Sequence, residues 1–141
     1  MQLKRYTDYS LRVLIYLATK PDQVISINEI AEAYDISRNH LLKVVNGLVE
    51  QRLVRTFRGK TGGLQLARPI NRINVGDVVR FMEGDHQIID CHEPYCPILP
   101  ACNLKRVLHE ANQAFYKSLK AYTLEDLIAG KQGKLIQLLT G

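Results

Sequence analysis

Long apolar runs are missing from this chain. None of its 141 residues belongs to a stretch near the roughly 20 apolar residues a bilayer crossing needs, and MQLKRYTDYS at the start has neither the apolar core nor the cleavage site of a secretory leader. The expected compartment is therefore the cytoplasm, with no membrane partner. Internal repeats and low-complexity linkers are absent too. Cysteine is scarce, with only Cys91, Cys96 and Cys102, and no close pair among them. In a reducing compartment such a set reads as metal-binding or reactive chemistry before it reads as a disulfide framework. Catalytic signatures are lacking: the four histidines are scattered, and no Ser/His/Asp or paired-carboxylate arrangement stands at readable spacing. GKT at 59–61 falls short of a phosphate-binding loop, which needs a glycine at the position held by Val54 and a helix to follow. An enzyme is not expected.

Acidic residues are missing from one long stretch. Between Gln51 and Gly76 stand Arg52, Arg55, Arg58, Lys60, Arg68 and Arg72 with no Asp or Glu. The formal net charge is +5, and it is unevenly spread: residues 1–80 carry 13 Lys and Arg against 7 Asp and Glu, and the remainder 6 against 7. A basic N-terminal half suggests a polyanion partner, with a merely solvated surface as the plain alternative.

What is present is strong helical periodicity. A content of 46% apolar residues is enough for one compact domain with an appended element. Thr7 is a candidate cap for a helix with apolar Leu11, Leu14, Ile15 and Ala18, ending before Pro21. SINE at 26–29 has the form of a capping box and opens a second helix through Ile27, Ile30, Ala31 and Tyr34. Ser37 opens a third, with Leu41, Val44, Val45 and Leu48 on its apolar stripe. The last two make a helix-turn-helix. Asn39, Lys43 and Asn46 fall opposite the apolar stripe, and Arg38 and His40 flank the N-terminal end, where a recognition helix enters the major groove.

The following segment tips the balance toward DNA. LVRTF at 53–57 and LQLA at 64–67 are strand-like, and RGKTGG between them carries three glycines and two cations. The pattern predicts a hairpin wing whose basic tip approaches phosphate. Candidate DNA-contacting residues are thus Ser37, Arg38, Asn39, His40 and Lys43 on the helix, with Arg58, Lys60, Thr61 and Gly62 on the wing. NVGDVVRFMEG at 74–84 predicts another helix, and 102–122 a long one. Its Leu104, Leu108, Ala111, Phe115, Ser118 and Tyr122 form a heptad-like seam that asks for a partner helix. TLED at 123–126 starts a short helix, and the tail GKQGKLIQLLTG is expected to be loosely held.

CHEPYCPILPAC, residues 91–102, holds every cysteine together with three prolines. Proline disfavours regular elements, so the expectation is a loop that presents its sulfurs. Three thiolates there fit an iron–sulfur cluster, whose irons tolerate wide ligand spacing. Other readings are a zinc completed by His92 or His86, a thiol switch, and unliganded cysteines.

Taken together, YTDYSLRVLIYLA, SRNHLLKVVNGL, RGKTGGLQLARP, INVGDVVR and the three cysteines before an amphipathic helix resemble the iron–sulfur winged-helix transcriptional regulators, the family that includes IscR. Within that family the resemblance is to its nitric-oxide-sensitive repressors, and it runs from Met1 to about Leu127. It implies a mainly α fold with a small β-hairpin wing: a winged helix-turn-helix DNA-binding domain over 1–80, a cluster-binding loop region over 81–103, and a dimerisation helix with C-terminal tail over 104–141. It also implies a homodimer on palindromic, double-stranded promoter DNA, released when nitric oxide destroys a [2Fe-2S] or [4Fe-4S] cluster. Cys91, Cys96 and Cys102 match the cluster ligands, and Asp8 matches a fourth, oxygen ligand given to the other subunit. Asp8 has a simpler reading as an acid favouring a helix dipole. Two departures stand out: Lys105 replaces the histidine that IscR places three residues after its last cysteine, and the first cysteine interval is one residue shorter than in several relatives. The alternative function is a regulator of the same build that answers to oxygen or cluster supply.

Overall fold

The structure is a computed structural model, and it describes residues 1–84 and 87–141. His86, a candidate zinc ligand by sequence, lies outside the described residues. Among the described residues seven helices and one hairpin follow in order: α1 (Arg5–Thr19), α2 (Ile27–Tyr34), α3 (Arg38–Glu50), β1 (Val54–Phe57), β2 (Gly63–Leu66), α4 (Val75–Glu83), α5 (Leu104–Leu119), α6 (Leu124–Ile128) and α7 (Gln132–Thr140), with short 3-10 turns at Ile70–Arg72 and Leu99–Ala101.

Helix α1 is the central post. Val13, Leu14, Tyr16, Leu17 and Ala18 are sealed from solvent, a broader apolar surface than one stripe, because α3, β2, α4, α6 and α7 all pack around it. Val13, Leu14 and Leu17 each contribute about 1.5–3 kcal/mol by leaving water. The stripe Leu41, Val44, Val45 and Leu48 of α3 is buried as its spacing predicts, and Ile30 of α2 meets it in the same core. Between α2 and α3 the chain turns at Asp35, whose φ of 53° is left-handed, and Ser37 then caps α3 by accepting the His40 N–H at 3.2 Å.

Strands β1 and β2 pair antiparallel, Val54 with Leu66 through Phe57 with Gly63. Ile25 adds a bridge to Leu64 through two backbone bonds of 2.8 and 2.7 Å, so the wing is fastened to the segment leading into α2. Helix α4 is capped by Asn74, which accepts the Asp77 N–H at 3.1 Å. After α5 the chain returns to the head. Backbone bonds Val75 N–H to Tyr122 O (3.0 Å) and Leu124 N–H to Ile73 O (2.8 Å) join the end of α5 to the start of α4, and Leu124 and Ile128 enter the main core.

Several local expectations give way to tertiary ones. Thr7 is not the cap of α1; it lies inside the helix, fully buried, its hydroxyl without a partner among the described residues. Ser26 caps α2 by accepting the Glu29 N–H at 3.1 Å, but the Glu29 carboxylate is drawn instead to the Tyr16 hydroxyl (2.6 Å) and Lys20 (3.1 Å). The tail is not loose, since it forms α7 and packs Leu135 and Leu139 against the core. Helix α5 is shorter than its pattern, 16 residues or about 24 Å.

Candidate DNA interface and cysteine loop

Arg38, Asn39, His40 and Lys43 are all exposed on the first two turns of α3, and Ser37 is exposed beside them. The helix N-terminus therefore offers one guanidinium, one amide, one imidazole and one ammonium to a groove, while its opposite face is locked into the core. The His40 ring stands 6.3 Å from the ring of Tyr9 on α1, which limits the directions it can take.

At the wing tip Arg58, Lys60 and Thr61 are exposed, and Gly59 holds a φ of +101° that favours glycine. Gly62 is half-buried, folded tightly under the tip where a Cβ would collide with the Phe57 carbonyl. Not every cation of the basic stretch is free for a partner. Arg68 donates to the carbonyls of Gln51 (3.0 Å) and Arg52 (3.1 Å), securing the turn after α3.

From residue 87 to the start of α5 the described chain forms turns and one 3-10 turn, and this stretch holds the cysteine segment. Its three thiols are unpaired. Contrary to a loop that simply presents its sulfurs, Cys91 is only 6% exposed, while Cys96 and Cys102 are half-buried. Asp90 organises the entry by accepting the N–H groups of His92 (2.9 Å) and Glu93 (3.2 Å), and these bonds hold its carboxyl below the usual range. The Cys96 N–H then returns to the Cys91 carbonyl at 3.0 Å. At the exit the Cys102 sulfur accepts the Leu104 N–H at 3.4 Å. Cys102, unlike the other two, lines a groove of about 580 Å³ between the end of α4 and α5, together with Arg80, Lys105 and His109.

Asp8 lies in the first turn of α1, part-exposed, with its Oδ1 2.9 Å from the Arg12 Nε. That bond raises the guanidinium's pKa above its ordinary value. Arg12 in turn lies 5.8 Å from the ring centroids of both Tyr9 and Tyr34. Tyr34 donates its hydroxyl to the Arg12 carbonyl at 2.9 Å, and burial pushes its pKa up to about 12.

Among the described residues no three His, Cys, Asp or Glu side chains gather as donors to one metal ion. A single zinc needs its donors to meet at a point, whereas a cluster spreads its ligands over two or four irons. Three unpaired thiols, one already accepting a backbone N–H, are a donor set that fits the cluster better than zinc.

A helix-turn-helix followed by a hairpin wing, with a polar recognition face and a basic wing tip, defines a winged-helix DNA-binding protein. Residues 3–130 match the Rrf2 family model, described as an iron-dependent transcriptional regulator, and the chain belongs to that family. The HTH-type transcriptional regulator NsrR of Oceanobacillus iheyensis is 48% identical over 136 residues, 94% of this chain and 92% of its own. Among solved structures, T. potens IscR superposes with a TM-score of 0.73 at 25% identity, covering 91% of this chain and 86% of its own. Staphylococcus aureus CymR does so with 0.71 at 31%, covering 89% and 97%. The protein is therefore a transcriptional regulator and not an enzyme. No helix among the described residues is long and apolar enough to cross a membrane.

Proposed function

We propose that this protein is a cytoplasmic homodimeric repressor that binds palindromic promoter DNA while it holds an iron–sulfur cluster and releases it when nitric oxide attacks that cluster. The observation that carries the reading is the placement of all three thiols in a 12-residue segment lying in sequence between α4, which is packed into the DNA-reading head, and α5, which packs along α4. Support comes from the 48% identity to a regulator named NsrR, from the likeness to IscR, and from Lys105, which stands where the IscR pattern has a histidine.

Cys91, Cys96 and Cys102 would hold the cluster, with Asp8 of the other subunit as a fourth donor. The cluster would supply iron on which nitric oxide binds. This chain's own residues give the signal a route. Asp8 bonds Arg12, Arg12 lies against Tyr9, and Tyr9 stands against His40 at the base-reading end of α3. Withdrawing the Asp8 carboxylate from Arg12 therefore bears on the recognition helix. Two such helices must sit about 34–36 Å apart to enter successive major grooves, so a small rotation breaks the register.

The test is an anaerobic titration with nitric oxide that follows the visible spectrum and operator release together, after iron and sulfide have been counted. Release is expected to track cluster loss in proportion. Protein that stays on its operator after complete nitrosylation contradicts the proposal, and release by oxygen alone favours the alternative sensor.

A further inference from the structure

Nothing local caps the start of α1. Lys4 occupies the N-cap position without a capping side chain, and Thr7, the nearest hydroxyl of the kind that caps, is buried within the helix. The first N–H groups of a helix need partners from somewhere. Here one partner comes from α4: the Glu83 carboxylate accepts the Lys4 N–H at 2.7 Å, and the Lys4 ammonium donates to the Glu83 carbonyl at 2.7 Å. The cap is reciprocal. A carboxylate meets the positive end of α1 while an ammonium meets the negative end of α4. Glu83 is only 8% exposed whereas Lys4 is exposed, so the exchange is shielded from water on its carboxylate side.

Its position matters more than its strength. Asp8 lies one turn along α1, its N–H bonded to the Lys4 carbonyl at 3.0 Å. On the other side Gly84, with a φ of 76°, directly follows Glu83, and Cys91 comes after it in sequence. One pair of residues thus ties the helix bearing Asp8 to the end of α4, the helix that precedes the cysteine segment in the chain.

We propose that Glu83 is a positioning residue for the cluster, fixing through Lys4 where Asp8 stands relative to the cysteine segment of its own chain. In a dimer where Asp8 serves the partner's cluster, each cap then joins the two cluster sites. The inference rests on the roles given above to Asp8 and the cysteines.

Three variants test it: Glu83→Ala, Glu83→Gln and Asp8→Ala, reconstituted anaerobically for spectra and iron counts, and cluster-free for amide hydrogen exchange. Glu83→Ala is expected to keep wild-type iron, to show the same spectral change as Asp8→Ala, and to exchange about fivefold faster at the first-turn amides of α1, as for loss of an ordinary N-cap. Glu83→Gln retains an oxygen for the Lys4 N–H and is expected to follow wild type in both. A wild-type spectrum for Glu83→Ala beside an altered one for Asp8→Ala overturns the proposal, as does unchanged exchange. A wild-type spectrum for Asp8→Ala instead strikes the role of Asp8 itself, and it is read with Glu83 intact, so the two failures are separable. Should Glu83→Ala not fold, Lys4→Pro carries the same test. The Lys4 φ of −58° suits proline, which lacks the N–H and the ammonium, and wild-type spectrum and exchange in that variant overturn the proposal.

Discussion

Glu29 shows how a single residue exchanges a local role for a tertiary one. The Tyr16 hydroxyl at 2.6 Å holds its carboxyl below the usual value, with Lys20 assisting against the opposing push of burial. Tyr16, in return, is driven above the ordinary phenol range by burial first and by that bond second. A carboxyl whose folded pKa is depressed adds stability that is fully present above its ordinary value of 4.5 and is lost as pH falls through the lower folded value. Glu29→Gln is therefore expected to cost about 1 kcal/mol near neutral pH, once solvent screening of a part-exposed group is allowed for. Urea unfolding of cluster-free protein should show that gap closing as the pH falls below the ordinary value of 4.5 and through the lower folded value. A gap that persists at acid pH places the effect in packing instead of charge.

At the scale of elements, the proposed recognition surface is divided between a rigid helix and a hairpin. Helix α3 is clamped by its buried stripe and by the Ser37 cap, so the exposed Asn39 is held toward whatever faces the helix N-terminus. The wing tip is a turn of exposed cations. Arg58→Ala and Lys60→Ala are each expected to weaken specific and non-specific DNA alike and to reduce the salt slope by about 0.9. Asn39→Ala is expected to leave the slope intact and to flatten base preference by about 1–3 kcal/mol at one position. Fluorescence anisotropy across a salt series separates the two, and a wing variant with an unchanged slope contradicts the phosphate role.

For the whole molecule, the proposed homodimer asks one face of α5 to meet a second copy. Phe115, Tyr116 and Leu119 turn inward and pack with Val75 and Val79 of α4, and Leu108 is half-buried. Leu104 and Val107 remain 51% and 48% exposed, and Ala111, Ala114 and Ser118 continue the same stripe outward. That stripe keeps the alternating three and four spacing of a coiled-coil seam. Val107→Asp is expected to yield a folded monomer with weakened operator binding, because a carboxylate in a joined apolar seam is costly but on a free surface is not. Phe115→Asp is expected to lower the stability of each subunit by about 3 kcal/mol or more. Sedimentation and thermal unfolding tell these apart, and a wild-type monomer at micromolar concentration contradicts the seam.

The sequence by itself determined the elements whose causes are local. Apolar spacing gave α2 and α3, glycines and strand-like runs gave the wing, and Ser26 and Ser37 marked helix starts that hold. Family resemblance, carried by motifs along most of the chain, named the cysteines. What only the tertiary structure decided depends on groups distant in sequence. The cap of α1 comes from Glu83, 79 residues away from Lys4. Arg68 looked like a free cation until two carbonyls claimed it, and the inward half of the α5 pattern was indistinguishable from an interface until α4 was set against it. Periodicity records that a face is apolar; only the packed chain decides what covers it.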